Sequence, residues 1–216
     1  MSLLSLFFAA VTGYLLGSIS LSRLISYWKK PGETFPMMRV KLPGTDIDFI
    51  SDSSGATTIF YTLGPKWGGI TALFDILKTL LPTLAFRLFF PGNYLYLVVG
   101  LFSIIGDCYP IYHRYKGGRG ASTISGVLLV VDFTGTIMMG PLGLFLGFVT
   151  EHVSTARWLG RVLMIPYFWI TYNNAWLVIF IILVNLLFFI SMSDEIKQMY
   201  ILKKMAYYPS QISSLS

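Results

Sequence analysis

The sequence predicts an all-α integral membrane protein: a seven-transmembrane-helix bundle with its N-terminus outside and its C-terminus cytoplasmic. Three observations predict it. Of the 216 residues, 55% are hydrophobic and 12% charged, about half the charged share of soluble domains, and mean hydropathy is +0.68. The apolar residues fall into seven runs. Lys and Arg then collect on one side of a seven-span arrangement. A water-soluble domain of this size could not hide so much apolar surface, so lipid serves as part of its solvent.

The first run covers 3–26 and begins "MSLLSLFFAAVTGYLLGS". It has no basic n-region and no clear cleavage site, so it reads as a retained span. Runs at 67–88, 93–111 and 175–192 approach the roughly 20 residues that cross a bilayer core as helix. The stretch 121–151 allows one long tilted helix or a hairpin of two short ones, 121–134 and 136–151. The run 158–172 contains Pro166, which a membrane helix tolerates.

Positive charge decides between the alternatives. With seven spans, the inside receives Arg23, Lys29, Lys30, Arg39, Lys41, Lys66, Arg114, Lys116, Arg119, Arg157, Arg161, Lys197, Lys203 and Lys204, which is 14 of the 16 basic residues. Only Arg87 falls outside, and Lys78 lies within a span. A single helix over 121–151 would export Arg157 and Arg161 and bury Asp132. A hairpin turning near Thr134-Gly135 keeps both Arg inside and lifts Asp132 to the outer interface. The loops 27–66, 112–120 and 151–157 and the tail then share the inner face of a single membrane domain, 1–216, frayed from about 205. The net charge of +6 is thereby placed against lipid headgroups, and no nucleic-acid partner is expected.

The single Cys108 excludes an intrachain disulfide and a Cys-rich metal site. His113 and His152 have no ligand-spaced partners, so no metal is expected, and no motif calls for a cofactor. GxSxG, HExxH and Walker A patterns are absent.

Four stretches carry chemistry. "YHRYKGGRGAST" (112–123) is a basic, glycine-rich loop leading into a helix. Gly117, Gly118 and Gly120 permit close backbone approach, Lys116 and Arg119 add charge, and a helix start favours anions. A basic inner loop facing lipid needs charge but not glycine. "DFISDSSGATT" (48–58) offers the hydroxyls of Ser51, Ser53 and Ser54, or simply a solvated turn and helix cap. Asp75 and Lys78, three residues apart on one helical face, read as an ion pair turned to the bundle interior. Asp107, in "GDCYP", is either a general base or a polar residue at a helix end.

In this order these stretches resemble the bacterial acyl-phosphate:glycerol-3-phosphate acyltransferases. "YLLGSI" (14–19) is similar to their first span, "SDSSGAT" (51–57) to GSGNxGATN, and "DILK" (75–78) to DxxKG. "GDCYPIYHRYKGGRG" (106–120) is similar to GHxxPxxxxFKGGKG, and "HVS" (152–154) to a third motif reading close to RYVS. The resemblance implies a seven-helix bundle in the cell membrane with a cytoplasmic active face. It implies transfer of a fatty acyl group from acyl phosphate to glycerol 3-phosphate, giving lysophosphatidate for phospholipid synthesis. Ser51 matches the motif-one serine implicated in catalysis. Arg119 matches the phosphate-contacting basic residue, Lys116, Gly117, Gly118 and Gly120 match the rest of that loop, and Ser154 matches a serine of the third motif.

The chain also departs from the pattern. The GHxxP histidine is Asp107, and the C-terminal His and Asn are Met192 and Glu195. The two motif-one Asn are Ser53 and Thr58, and a basic residue just past that motif is Tyr61. Met192 cannot accept a proton, so Asp107, Glu195 or His113 is expected as base. The alternative is a non-catalytic relative that binds a phosphorylated lipid or a partner protein. A small transporter is disfavoured by the absence of an internal repeat.

Overall fold

The computed structural model describes residues 2–32, 35–41, 48–149 and 153–207. Nine α-helices and one two-stranded hairpin occur among them. Four helical stretches are long and apolar enough to cross a membrane: Leu3–Lys29, Pro65–Phe89, Leu95–His113 and Ala175–Leu202. Their outward faces carry Leu4, Phe7, Leu73, Leu81, Leu186 and Phe189, large apolar side chains left exposed. Such a surface is what a helical membrane protein presents to lipid.

The first run does not continue unbroken. α1 (Leu3–Gly17) stops, and α2 (Leu21–Lys29) begins after Ser18, Ile19 and Ser20. The Ser18 hydroxyl donates back to the Tyr14 carbonyl at 2.7 Å, a local bond that competes with helix continuation. α2 is amphipathic, with Ser22, Ile25 and Ser26 buried and Leu24, Tyr27 and Trp28 exposed. The stretch expected as plain loop holds β1 (Met38–Lys41) and β2 (Asp48–Ser51), paired antiparallel with Met38 opposite Ser51, and then α3 (Ala56–Leu63). Short alternating "MRVK" and "DFIS" segments suit a half-buried ribbon. The hairpin is the one departure from an all-α chain among the described residues.

α4 (Pro65–Phe89) and α5 (Leu95–Cys108) match expectation within a few residues. α5 leads into a 3₁₀ turn at Ile111–His113. α6 (Ala121–Val131) and α7 (Phe133–Val149) are separate helices, as the hairpin reading required, but the break lies at Asp132, not at Thr134-Gly135. Asp132 leaves α6 in extended conformation, and its carbonyl accepts from Thr136 N at 3.1 Å to start α7. Its side chain is buried among the helices, 5% exposed. α8 (Val153–Tyr172) accommodates Pro166. α9 (Ala175–Tyr207) runs on past the apolar stretch that suggested it, so 205–207 are helical, and the rest of the tail lies outside the described residues.

Close packing depends on small residues, as it does where lipid removes any hydrophobic force between helices. A Cβ on Gly13 or Gly17 of α1 would collide with the Val99 or Ser103 carbonyl of α5, and one on Gly106 of α5 would collide with the Tyr14 carbonyl. Gly126 brings α6 equally close to Ile76 of α4. The Thr79 hydroxyl bridges these helices by donating to the Thr123 carbonyl at 3.0 Å. The main core joins α5, α6, α8 and α9 through Ile104, Ile124, Val127, Phe168, Ile181 and Val184.

Candidate active site

The hairpin ends at Ser51, whose side chain is buried against α9. Its hydroxyl donates to Glu195 Oε1 at 2.5 Å and accepts from Ser53 N at 3.3 Å. The chain then turns through Asp52–Gly55 into α3. The Thr58 hydroxyl closes that turn on the Ser53 carbonyl at 2.5 Å. Ser and Thr suit this position because their side chains bond their own backbone nearby.

The glycine-rich loop packs against this turn. Ser54 N donates to the Gly117 carbonyl at 3.1 Å, and Ser54 Oγ reaches the Lys116 carbonyl at 3.4 Å. The Ser22 hydroxyl of α2 holds the Ser54 carbonyl from behind. Gly120 has φ +77°, the left-handed region that favours glycine, and Gly117 is wedged where a Cβ would strike the carbonyls of Asp107 and Cys108. Gly118 N donates to the Asp107 carbonyl at 3.0 Å. That amide is therefore used within the protein, and the loop's glycines serve close packing as well as access. Lys116 is pinned by its carbonyl, while its side chain is exposed.

Arg119 emerges from this loop toward α9. Its Nε donates to Glu195 Oε1 at 2.9 Å and one terminal nitrogen donates to the Ser191 carbonyl at 2.9 Å. The other terminal nitrogen lies 3.7 Å from Asp52 Oδ1. The Ser191 hydroxyl returns a bond to the Arg119 carbonyl at 3.2 Å. Ser51, Arg119 and Glu195, from three distant parts of the chain, thus share one carboxylate oxygen. Arg119 stays about a quarter exposed, so an anion can reach it.

Asp107 stands apart from this cluster. Its Oδ1 accepts from Lys78 Nζ at 2.6 Å, and Lys78 also binds Asp75 at 2.9 Å and the Ile19 carbonyl at 2.8 Å. The pair read as turned to the interior is therefore a triad. Asp107, whose other oxygen faces Gly118, is engaged as an anchor behind the loop. Its Oδ1 is already taken up by Lys78, inside the bundle. Ser154 belongs to the first turn of α8, with its side chain outside the described residues. His113 sits in the 3₁₀ turn, and His152 lies outside the described residues.

Sequence reasoning missed Asp52, Ser191 and Ser22. Ser191 had a signal, because it lies one turn before Glu195 and so on the same face of α9. Asp52 and Ser22 had none, since only the folded hairpin brings them to the loop.

Met192 packs in the main core, three residues before Glu195. It also borders a cavity of about 300 Å³ between α8 and α9, whose other walls include Ile165, Ile182, Leu186, Phe189 and Ile196. The charged cluster and this apolar cleft are thus neighbours on one helix.

The family model described as glycerol-3-phosphate acyltransferase matches residues 7–201. A glycerol-3-phosphate acyltransferase of Mycoplasma mycoides subsp. mycoides SC is 32% identical over 178 residues, 80% of this chain and 64% of the relative. One from Aquifex aeolicus (strain VF5) is 32% identical over 127 residues, 58% of this chain and 59% of the relative. The chain therefore spans less than two thirds of the length of these curated relatives. Two crystal structures of PlsY (YgiH), an integral membrane glycerol 3-phosphate acyltransferase, share the fold. The glycerol 3-phosphate form superposes with TM-score 0.75 at 24% identity, over 91% of this chain and 92% of that one. The lysophosphatidic acid form gives 0.75 at 23%. With residues 7–201, nearly its whole length, matched by the family model, this chain belongs to the glycerol-3-phosphate acyltransferase family.

Proposed function

We propose that the protein transfers a fatty acyl group from acyl phosphate to the 1-hydroxyl of glycerol 3-phosphate, releasing lysophosphatidate and phosphate. The observation that carries this reading is the convergence of Ser51, Arg119 and Glu195 on one oxygen, beside an apolar cleft. Both substrates bear phosphate, and Arg119 is a planar, partly exposed donor suited to it. The cleft between α8 and α9 takes the acyl chain. Acyl phosphate is an activated donor, so orientation and charge stabilisation supply most of the catalysis.

Glu195 fills the role of base in this chain. The substrate hydroxyl attacks the acyl carbonyl carbon and passes its proton to Glu195, directly or through the Ser51 hydroxyl. The bond from acyl carbon to phosphate oxygen then breaks, and phosphate leaves. Arg119 and Lys116 offset the negative charge, Gly117, Gly118 and Gly120 shape the loop that carries them, and Ser154 adds a hydroxyl from the third motif. An incoming phosphate competes with Glu195 for Arg119, which frees the carboxylate to act.

The same reading assigns a single membrane domain that crosses the bilayer seven times, with its N-terminus outside and this cluster at the cytoplasmic face. It is supported by the inward bias of Lys and Arg, and by the helix ends that meet away from the cluster. There, Arg87 of α4 donates to the carbonyls of Val130 and Val131 at the end of α6. Asn174, before α9, donates to the Tyr94 hydroxyl at 2.7 Å.

The test is turnover by the purified protein in lipid nanodiscs. Lysophosphatidate should form from acyl phosphate and glycerol 3-phosphate, and Arg119→Ala should raise KM for a phosphate-bearing substrate about tenfold or more, the loss of a charge-assisted contact. A folded protein that binds acyl phosphate without consuming it would instead be the non-catalytic relative.

A further inference from the structure

A second cavity, of about 510 Å³, adjoins the glycine-rich loop, which it touches through Arg23 on the Lys116 carbonyl. Its walls come from α2 and the 3₁₀ turn, with Arg23, Tyr27, Tyr112 and His113 among them, and from Phe35. Arg23 is the group at its centre. One terminal nitrogen donates to the Lys116 carbonyl at 2.7 Å, and the guanidinium stacks over the Phe35 ring at 4.9 Å. Its Nε is buried and has no hydrogen-bond partner among the described residues. That N–H is closed off from the cavity, but the side chain as a whole is only partly buried, so its guanidinium can still offer a charge-assisted contact to an anion.

The surroundings identify the kind of anion. Ile19 and Leu24 also line the cavity and are exposed, 43% and 64%, where a chain in lipid would lie. Further along α2, Lys29 Nζ stands 4.6 Å from the Trp28 and Trp67 rings. Exposed Trp and Tyr beside Lys mark the headgroup level of a bilayer. A charged head with an apolar tail fits these walls, and a free ion would leave the apolar part uncovered.

We propose that this cavity is a binding site for the phosphate headgroup of an anionic membrane phospholipid, held by Arg23 with Tyr112 and His113 at its rim. Its lining residues differ from Ser51, Arg119 and Glu195, although Asp52 lies within electrostatic reach of Arg23 as well as of Arg119. Because Arg23 also grips the Lys116 carbonyl, lipid bound here steadies the loop that carries Arg119. The proposal does not depend on the reaction proposed above, since its readout is bound lipid and not turnover.

The test is native mass spectrometry of protein released from nanodiscs of phosphatidylglycerol and phosphatidylcholine in equal parts. The wild type should retain phosphatidylglycerol about fivefold over phosphatidylcholine, the preference expected of one basic residue at the headgroup level. Arg23→Gln should bring the ratio to about one. Ser20→Phe, which fills the cavity and leaves the Arg23 bond to Lys116 in place, should do the same. Retention of the lipid under excess inorganic phosphate supports a lipid site, and its displacement by phosphate overturns it. An even ratio in the wild type, or a preference that survives both substitutions, also overturns the proposal.

Discussion

Two charged clusters sit at the same end of the bundle, and they are built on opposite plans. In Asp75–Lys78–Asp107, the side chains are 4–11% exposed and every partner is internal. In Ser51–Arg119–Glu195, the guanidinium is 23% exposed and its further neighbour Asp52 is 62% exposed. The first cluster ties α4 and α5 to the break between α1 and α2 and offers a ligand nothing. The second joins a hairpin, a loop and α9 and leaves donors within reach. Charge of similar kind is thus closed off within the bundle in one cluster and open to a ligand in the other, which is where the proposed chemistry lies. The comparison also reassigns one departure from the family pattern. Asp107 stands where the resemblance has a histidine, yet its carboxylate belongs to the closed cluster. In the proposed mechanism the base is therefore Glu195.

This contrast breaks first at Lys78. Lys78→Met would leave two buried carboxylates without their cation. Removing one partner of a buried ion pair costs about 3–5 kcal/mol, so thermal unfolding in detergent should shift sharply downward. An unchanged melting temperature would remove the closed cluster's structural role. Asp107→Asn, which keeps a hydrogen-bond acceptor for Lys78, should be much milder.

Next comes Glu195→Gln. Its shape is preserved, so the melting temperature should stay near wild type while kcat falls about a hundredfold or more, the usual contribution of a general base. A fall in both together would make Glu195 an anchor like Asp107. The smallest effect is expected at Asp52→Asn. An exposed ion pair at 3.7 Å contributes about 0–1 kcal/mol, so KM and melting temperature should change less than about fivefold and hardly at all, respectively. A large change in KM would bring Asp52 into the substrate site.

Much of this was readable in the sequence, because lipid imposes simple rules. Apolar runs gave α4 and α5 nearly to the residue, and the cost of charge in lipid split α6 from α7. The break at Ser18–Ser20 escaped notice because serine back-bonds are invisible in a hydropathy pattern. The hairpin escaped because strands of four residues take their register from what they pack on. Site residues were legible only as identities. Nothing in spacing joins Ser51 to Glu195, 144 positions later, and nothing in the DILK helix names Asp107 as its third partner.

α6 has 11 residues, so at about 1.5 Å per residue it rises roughly 16 Å, against about 30 Å for a hydrocarbon core. It survives this mismatch because most of its side chains face other helices, not lipid. With α6 crossing the bilayer as proposed, the polar layers on the two sides would be pinched toward each other along this axis, and the loop before α6 would sit below the general plane of the headgroups. In the proposed reaction an acyl donor anchored by its tail would then not have to be lifted out of the leaflet, because the water-soluble partner would descend to meet it.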